Sequence, residues 1–349
     1  MKRKHLKGLN GVVFGVCVLV VGVVSVKAIK LPDQDSPEVL DGSLFRDLEG
    51  HYQEKFPVKD WVTGFWATVN YQLFNEGRDG VVVGHSEWLF SSEEYRLPSD
   101  YEDQWNNKLD QIVTYDKQLS TQGIELLVVL IPEKVDVYGD LVSKKSMHDE
   151  INLYHHSALT LEREGVALVN LRDPLIRAKD NGDKVFYRTD THWTVKGAEV
   201  AARAIKNSGL VPSGEAIYEV EPKGEISFSG DLTNYIPTGD MFADFAPAPE
   251  TIETLEIVKS GQGELSLFDD STQSIALVGT SYSADKRWKF VDWLQLHTQQ
   301  EVLDYSSVGK GPFVPMAEYV STELETAEDI EMVIWEIPVR YLIAEPTKA

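Results

Sequence analysis

The chain has 349 residues, 42% of them hydrophobic, and a formal net charge of -23 from 56 acidic and 33 basic side chains. That length buries a large core and fits one big domain or two modest ones, and the composition excludes global disorder. The acidity argues against nucleic acid as a partner, because no basic face is present to displace counterions from phosphates.

The chain starts with the basic stretch "MKRKHLK", followed by Gly11 to Val26, "GVVFGVCVLVVGVVSV", without a single charge. A basic start and an apolar run mark a secretory signal or a membrane anchor. The run lies near the short end for a spanning helix, which needs about 17–25 residues. We read residues 1–30 as an uncleaved signal anchor, with the remainder exported. Cys17, the one cysteine, lies inside the run. The exported part therefore holds no disulfide, thiol nucleophile or cysteine metal site.

Residues 31–43, polar and carrying Pro32 and Pro37, read as a linker. Apolar residues then recur at helical spacing from Leu44 to Leu73, and Pro57 separates two helices. "VVVGHSEWLF" (Val81 to Phe90) reads as a strand, a turn at Gly84 and a second strand. Residues 101–121 form an amphipathic helix. "IELLVVLIP" (Ile124 to Pro132), "VALVNL" (Val166 to Leu171), "SIALVGT" (Ser274 to Thr280) and "MVIWEIP" (Met332 to Pro338) are buried strands. Helices are expected over 148–164, from Thr194 (an N-cap) to Gly209 (a stop), and after Ser281. Apolar strands alternating with helices predict an α/β fold, with a doubly wound, mostly parallel sheet covered on both faces. Residues 210–272, rich in Gly, Pro, Thr and acids, interrupt this rhythm and read as a β-rich insertion.

Two stretches carry candidate chemistry. "ALVGTSYSA" (Ala276 to Ala284) is a strand, a small-residue turn and a helix start, the setting in which a nucleophilic serine is exposed. Gly279 allows close backbone approach, and helix-start N–H groups would face an oxyanion. Ser281 is the nucleophile candidate, and a serine hydroxyl needs a base. "YRTDTHWT" (Tyr187 to Thr194) supplies one: Asp190 and His192 project together in an extended segment or through a tight turn. Asp190 would orient the imidazole of His192, whose other nitrogen would serve Ser281. Each motif alone is common; both are expected at strand ends before helices, the edge where open α/β sheets gather their sites. Lys286, Arg287 and Lys289, with Trp288 among them, form a cationic cluster beside Ser281 that would bind a carboxylate, Trp288 stacking on a sugar ring. A solvated helix face is the alternative reading. Glu336 and Arg340 on the last strand either support the site or pair with each other. His155 and His156 are adjacent and lack a carboxylate at ligand spacing, so no metal site and no cofactor is expected.

"FYRTDTHWTVKGAEVAA" and "LVGTSYSA" together resemble the SGNH-like domain of the AlgJ/AlgX-type bacterial alginate O-acetyltransferases. "EKFPVKDWV", "VVVGHSEWLFSSEEY", "LLVVLIPEKVDVYGD", "SGDL" and "VIWEIPVRYL" extend the resemblance over about residues 44–342. It implies an SGNH-hydrolase-like domain over 44–349 in which Asp190, His192 and Ser281 are the triad. Their order is permuted relative to SGNH hydrolases in which serine comes first. Tyr282 would shape the oxyanion or acceptor pocket, and Asn234 would stand as an oxyanion donor. The implied reaction passes through an acetyl-serine to hydroxyls of an exported polysaccharide. The implied setting is periplasmic, within an exopolysaccharide complex and beside a membrane-bound O-acyltransferase that delivers acetyl. With no carbohydrate-binding module expected after the domain, the chain resembles the anchored AlgJ-like form. An acetyl esterase with the same triad, or a glycan-binding subunit without catalysis, are the competing functions.

Overall fold

The computed structural model describes residues 59–260, 274–323 and 330–344, with a few helical positions between 15 and 23. The linker, Cys17 and the helix expected before Pro57 lie outside the described residues, as does nearly all of the anchor. Among the described residues no helix is long and apolar enough to cross a membrane.

The contacts divide the chain into two units, residues 1–74 with 236–246, and residues 75–235 with 247–349. In the first, helix α1 (Lys59–Val69) stacks Trp61 on Phe65 at 5.7 Å and sets Phe65 edge-on to Phe242. The second unit carries everything that follows.

It begins with a short hairpin of β1 (Val81–Val83) and β2 (Leu89–Ser91). Then come α2 (Tyr101–Ser120), β3 (Glu125–Ile131) and α3 (Lys134–Tyr138). The helix expected over 148–164 is two pieces, α4 (Met147–Glu150) and α5 (Leu153–Arg163), because Asn152 takes a left-handed conformation at φ 49°. Strand β4 (Ala167–Asn170), α6 (Arg172–Asp180) and α7 (Val195–Asn207) follow. Thr194 caps α7 by accepting the Gly197 N–H at 2.9 Å, and Gly209 follows it at φ 73°. The stretch read as β-rich holds a long antiparallel ribbon, β5 (Ile217–Phe228) against β6 (Glu250–Ser260).

Strand β7 (Ser274–Val278) leads into α8 (Ser281–Ala284), a single turn. The continuous helix expected after Ser281 is broken there. Lys289 sits at φ 61°, and α9 (Phe290–Thr298) starts afresh. Strand β8 (Glu301–Asp304) was not anticipated. Its four residues carry two acids and show no apolar run. Helix α10 (Phe313–Glu318) and β9 (Ile330–Pro338) complete the unit.

The central sheet is parallel throughout, in the order β4-β3-β9-β7-β8. Side chains alternate along each strand. Leu127, Val129 and Ile131 enter one core with α7 and α9, while Leu126, Val128 and Leu130 enter another with α2 and α5. Burial on both faces explains why β3 reads as an unbroken apolar run, each such side chain contributing roughly 1.5–3 kcal/mol. The chain leaves β3 towards β4 on one side and β7 towards β8 on the other. The ends of β3, β9 and β7 thus meet where open sheets hold their sites.

Candidate active site

Ser281 begins the turn of α8 immediately beyond β7. Thr280 caps this turn, and three groups of it converge on Glu336, inside β9. The Thr280 N–H reaches the Glu336 carboxylate at 2.8 Å, and the Ser283 and Thr280 hydroxyls at 3.0 and 3.1 Å. Gly279 makes the approach possible, since a Cβ there would sit 2.5 Å from Glu336 Oε2. Glu336 is fully buried, and burial pushes its carboxyl up to about 7 against the opposing pull of these donors.

Asp190 and His192 do not follow a sheet strand, contrary to expectation. They lie in a tight loop closed by one bridge between Phe186 and Trp193, just before α7. The tight-turn alternative is the one realised. Asp190 Oδ1 accepts both the His192 backbone N–H (2.9 Å) and Nδ1 (2.7 Å). Its Oδ2 accepts the Asp231 N–H at 2.8 Å. Burial pushes this carboxyl up, but the hydrogen bonds and charge of His192, with the Asp231 N–H, outweigh it and hold Asp190 below the ordinary carboxylate range. An ionised Asp190 makes Nδ1 the protonated nitrogen. Nε2 is then free to accept, and Ser281 Oγ lies 2.7 Å from it. The three side chains singled out in the sequence therefore form one hydrogen-bonded line.

Aromatic rings hold the imidazole in plane. Trp288 stacks on His192 at 5.4 Å and 25°, and Tyr282 flanks it at 4.8 Å. Both are buried, which corrects two expectations. Trp288 cannot offer its face to a sugar, because Tyr187, Phe228 and His192 enclose it. Tyr282 spends its hydroxyl on the Thr191 carbonyl at 2.9 Å, tying the two halves of the site together. Its N–H, expected to face an oxyanion, goes to the Thr280 hydroxyl at 3.3 Å. Nor is the cationic cluster free. Lys286 pairs with Asp304, Arg287 with Asp285 and Lys289 with Asp292. Arg340 lies on the turn after β9 and pairs with Glu133 and Glu93, not with Glu336. Asn234 is exposed on the turn Asp231–Tyr235. His155 and His156 are exposed neighbours, their rings 6.1 Å apart.

Three supporting residues escaped the sequence reading. Lys134, fully buried at the start of α3, donates to the carbonyls of Leu89 (2.5 Å), Arg188 (3.1 Å) and Asp190 (3.0 Å). Glu250, first in β6, accepts the Arg188 and Thr189 N–H groups at 2.8 and 2.7 Å. Asp231 accepts the Thr191 N–H at 2.8 Å, and Gly230 packs so closely that a Cβ would sit 2.1 Å from the Thr189 oxygen. Lys134 and Asp231 stand in "PEKV" and "SGDL", short stretches with no periodicity, and Glu250 stands in no motif.

Among the described residues one group brings metal-ligand types together, Asp190, His192 and Asp231, with ligand atoms within 4.8 Å of one another. The two carboxylates already accept N–H groups, while His192 Nδ1 donates to Asp190 and its Nε2 faces Ser281 Oγ.

The family model described as "SGNH hydrolase-like domain, acetyltransferase AlgX" matches residues 81–339. The chain belongs to this family. It is 36% identical over 315 residues to a probable alginate O-acetylase AlgJ of Pseudomonas putida, covering 87% of this chain and 81% of that one. A probable alginate O-acetylase AlgJ of Pseudomonas aeruginosa is 34% identical, with 88% and 82% covered. The solved O-acetyltransferase domain of Pseudomonas putida AlgJ superposes with a TM-score of 0.69 at 31% identity, covering 77% of this chain and 94% of that domain. The AlgX-type family thus accounts for the SGNH-hydrolase-like α/β fold and its parallel sheet.

Proposed function

We propose that this chain is a polysaccharide O-acetyltransferase working through an acetyl-serine, with alginate or a similar acidic exopolysaccharide as acceptor. The observation carrying this reading is the line Asp190–His192–Ser281, closed by two hydrogen bonds of 2.7 Å. As Ser281 Oγ bonds to the acyl carbon of the donor, its proton passes to His192 Nε2. The collapsing intermediate expels the donor's leaving group, which takes that proton. An acceptor hydroxyl then gives its proton to Nε2 while its oxygen attacks the acetyl carbon. Ser281 departs as the leaving group and recovers the proton. Asp190 stays ionised and steadies the imidazolium; such base catalysis is worth about 10²–10⁴-fold.

The relatives' names support alginate as the acceptor. The apolar start of the sequence supports an N-terminal anchor (residues 1–30), a linker (31–43) and a periplasmic catalytic domain (44–349) with an inserted ribbon (210–272). Acetyl-CoA being cytoplasmic, a membrane-bound O-acyltransferase of an exopolysaccharide complex supplies the acetyl group. Placing Asp190 and His192 before Ser281 makes the motif order a permuted one.

The test is acetyl transfer from a chromogenic acetyl ester to an acidic oligosaccharide, followed by mass spectrometry. The Ser281→Ala variant should lose both ester cleavage and the acetylated product, by at least about 10⁴-fold. Acetylated oligosaccharide formed at the parental rate by this variant would remove the nucleophile. Ester cleavage without any acetylated sugar would mark an esterase.

A further inference from the structure

A cavity of about 630 Å³ opens at the same sheet edge, away from the triad. Its wall includes Arg96, Lys108, Lys310 and Arg340, with Phe313 and Tyr341, and Glu93 is its one carboxylate. In a chain with 56 acids and 33 bases, four cations around one acid form a local reversal of sign.

The cations are not equivalent. Arg340 is held by Glu133 and Glu93, and Lys310 by Glu318 at 2.8 Å. Arg96 and Lys108 have no carboxylate partner among the described residues. Lys108 instead lies 4.1 Å from the centre of the Phe313 ring, and its partial burial lowers its ammonium pKa, so a carboxylate would be a welcome partner. The Arg96 guanidinium is exposed and presents a planar fork suited to two carboxylate oxygens.

One loop and one side chain join the cavity to the turn of Ser281. The loop after β8 starts beside it, with the Ser307 N–H on the Gly279 carbonyl at 3.1 Å, and its far end, Gly309 to Val314, lines the cavity. Arg340, another lining residue, lies 5.7 Å from the Tyr282 ring, next in sequence to Ser281.

We propose that this cavity is a subsite for an acidic sugar of the acceptor, Arg96 and Lys108 pairing its carboxylate while Phe313 forms the apolar wall. The volume suits one or two sugar units, within the usual range of about 300–1,000 Å³ for small-molecule sites. The proposal rests on the acetyltransferase reading and names where that reaction holds its substrate.

The experiment is a titration of Ser281→Ala protein, which cannot be acylated, with a short oligouronate and with a neutral oligosaccharide of equal length. The oligouronate should bind and the neutral sugar should not. Adding Arg96→Gln and Lys108→Gln together should weaken oligouronate binding at least about tenfold with the melting temperature kept. Raising salt should weaken binding to the protein carrying Ser281→Ala alone, a reading that needs no further substitution. Equal affinity for both sugars, insensitivity to salt, or undiminished binding in a folded double variant overturns the subsite. Acetylated product from Ser281→Ala would instead sink the acetyl-serine, so the two failures are separable.

Discussion

The two halves of the site are secured in opposite ways. The turn of Ser281 grows directly from β7, a strand paired on both sides, and one buried acid, Glu336, collects its three donors. The loop of Asp190 and His192 lies outside the sheet, and besides its own bridge and the Tyr282 hydroxyl it is held by a buried cation, Lys134, and two acids brought by the ribbon region, Glu250 and Asp231. A sheet end fixes a backbone cheaply, because neighbouring strands have already ordered it. A loop must be pinned group by group, since each buried N–H or C=O left unpaired costs about 1–3 kcal/mol. The base arm should therefore be the more fragile.

Lys134→Met is the sharpest way to break that comparison. It removes a buried ammonium that donates to three carbonyls. We expect a loss of roughly 10²–10³-fold in kcat, with KM moved far less, because what fails is the placing of His192. Stability should fall by about 3 kcal/mol, within the range for breaking buried charged contacts. A variant that melts like the parent and keeps its kcat would show that the loop holds itself.

Glu250→Gln should be milder. Glutamine has one acceptor oxygen where Glu250 uses two, so the N–H of either Arg188 or Thr189 goes unpaired. A fall of about tenfold in kcat is expected, with the same sparing of KM. Full activity would leave the load with Lys134 and Asp231.

Both effects fall on residues that the sequence left obscure, for a physical reason. The strands at Ile124, Ser274 and Met332 were legible because two-sided burial writes itself as an apolar run. Asp190, His192 and Ser281 were legible because few residue types can do their chemistry and each stands beside a recognisable helix start. Lys134 acts on carbonyls, which every residue has, so nothing in the Arg188 or Asp190 side chain announces it. Trp288 misled for another reason. Two cations around it suggest a solvent-facing helix, yet a large ring beside His192 is worth more buried in an aromatic cluster, and the chain breaks α8 from α9 to put it there. The partners of Lys286 and Arg287 were likewise hidden, one of them 18 residues away on β8, a strand too short and acidic to be read.

Glu336→Gln sharpens the other side of the comparison and should have the smallest effect on rate. Gln keeps the shape and one acceptor beneath Gly279, so kcat should fall by only a few-fold. The informative readout is stability against pH. The Glu336 carboxyl, ordinarily titrating near 4.5, is raised by burial to about 7, so between these values the folded protein holds a proton that the unfolded chain has lost. Its contribution is complete below about 4.5 and drains away as pH climbs through 7, on the order of 3 kcal/mol at most. The amide cannot titrate. The melting temperature of the parent should therefore drop more steeply than that of Glu336→Gln from pH 5 to pH 8. Asp136, raised by burial to about 7, tilts both curves alike and cancels in the difference. Parallel curves would mean that Glu336 is charged throughout, and that the turn of Ser281 rests on a buried ion.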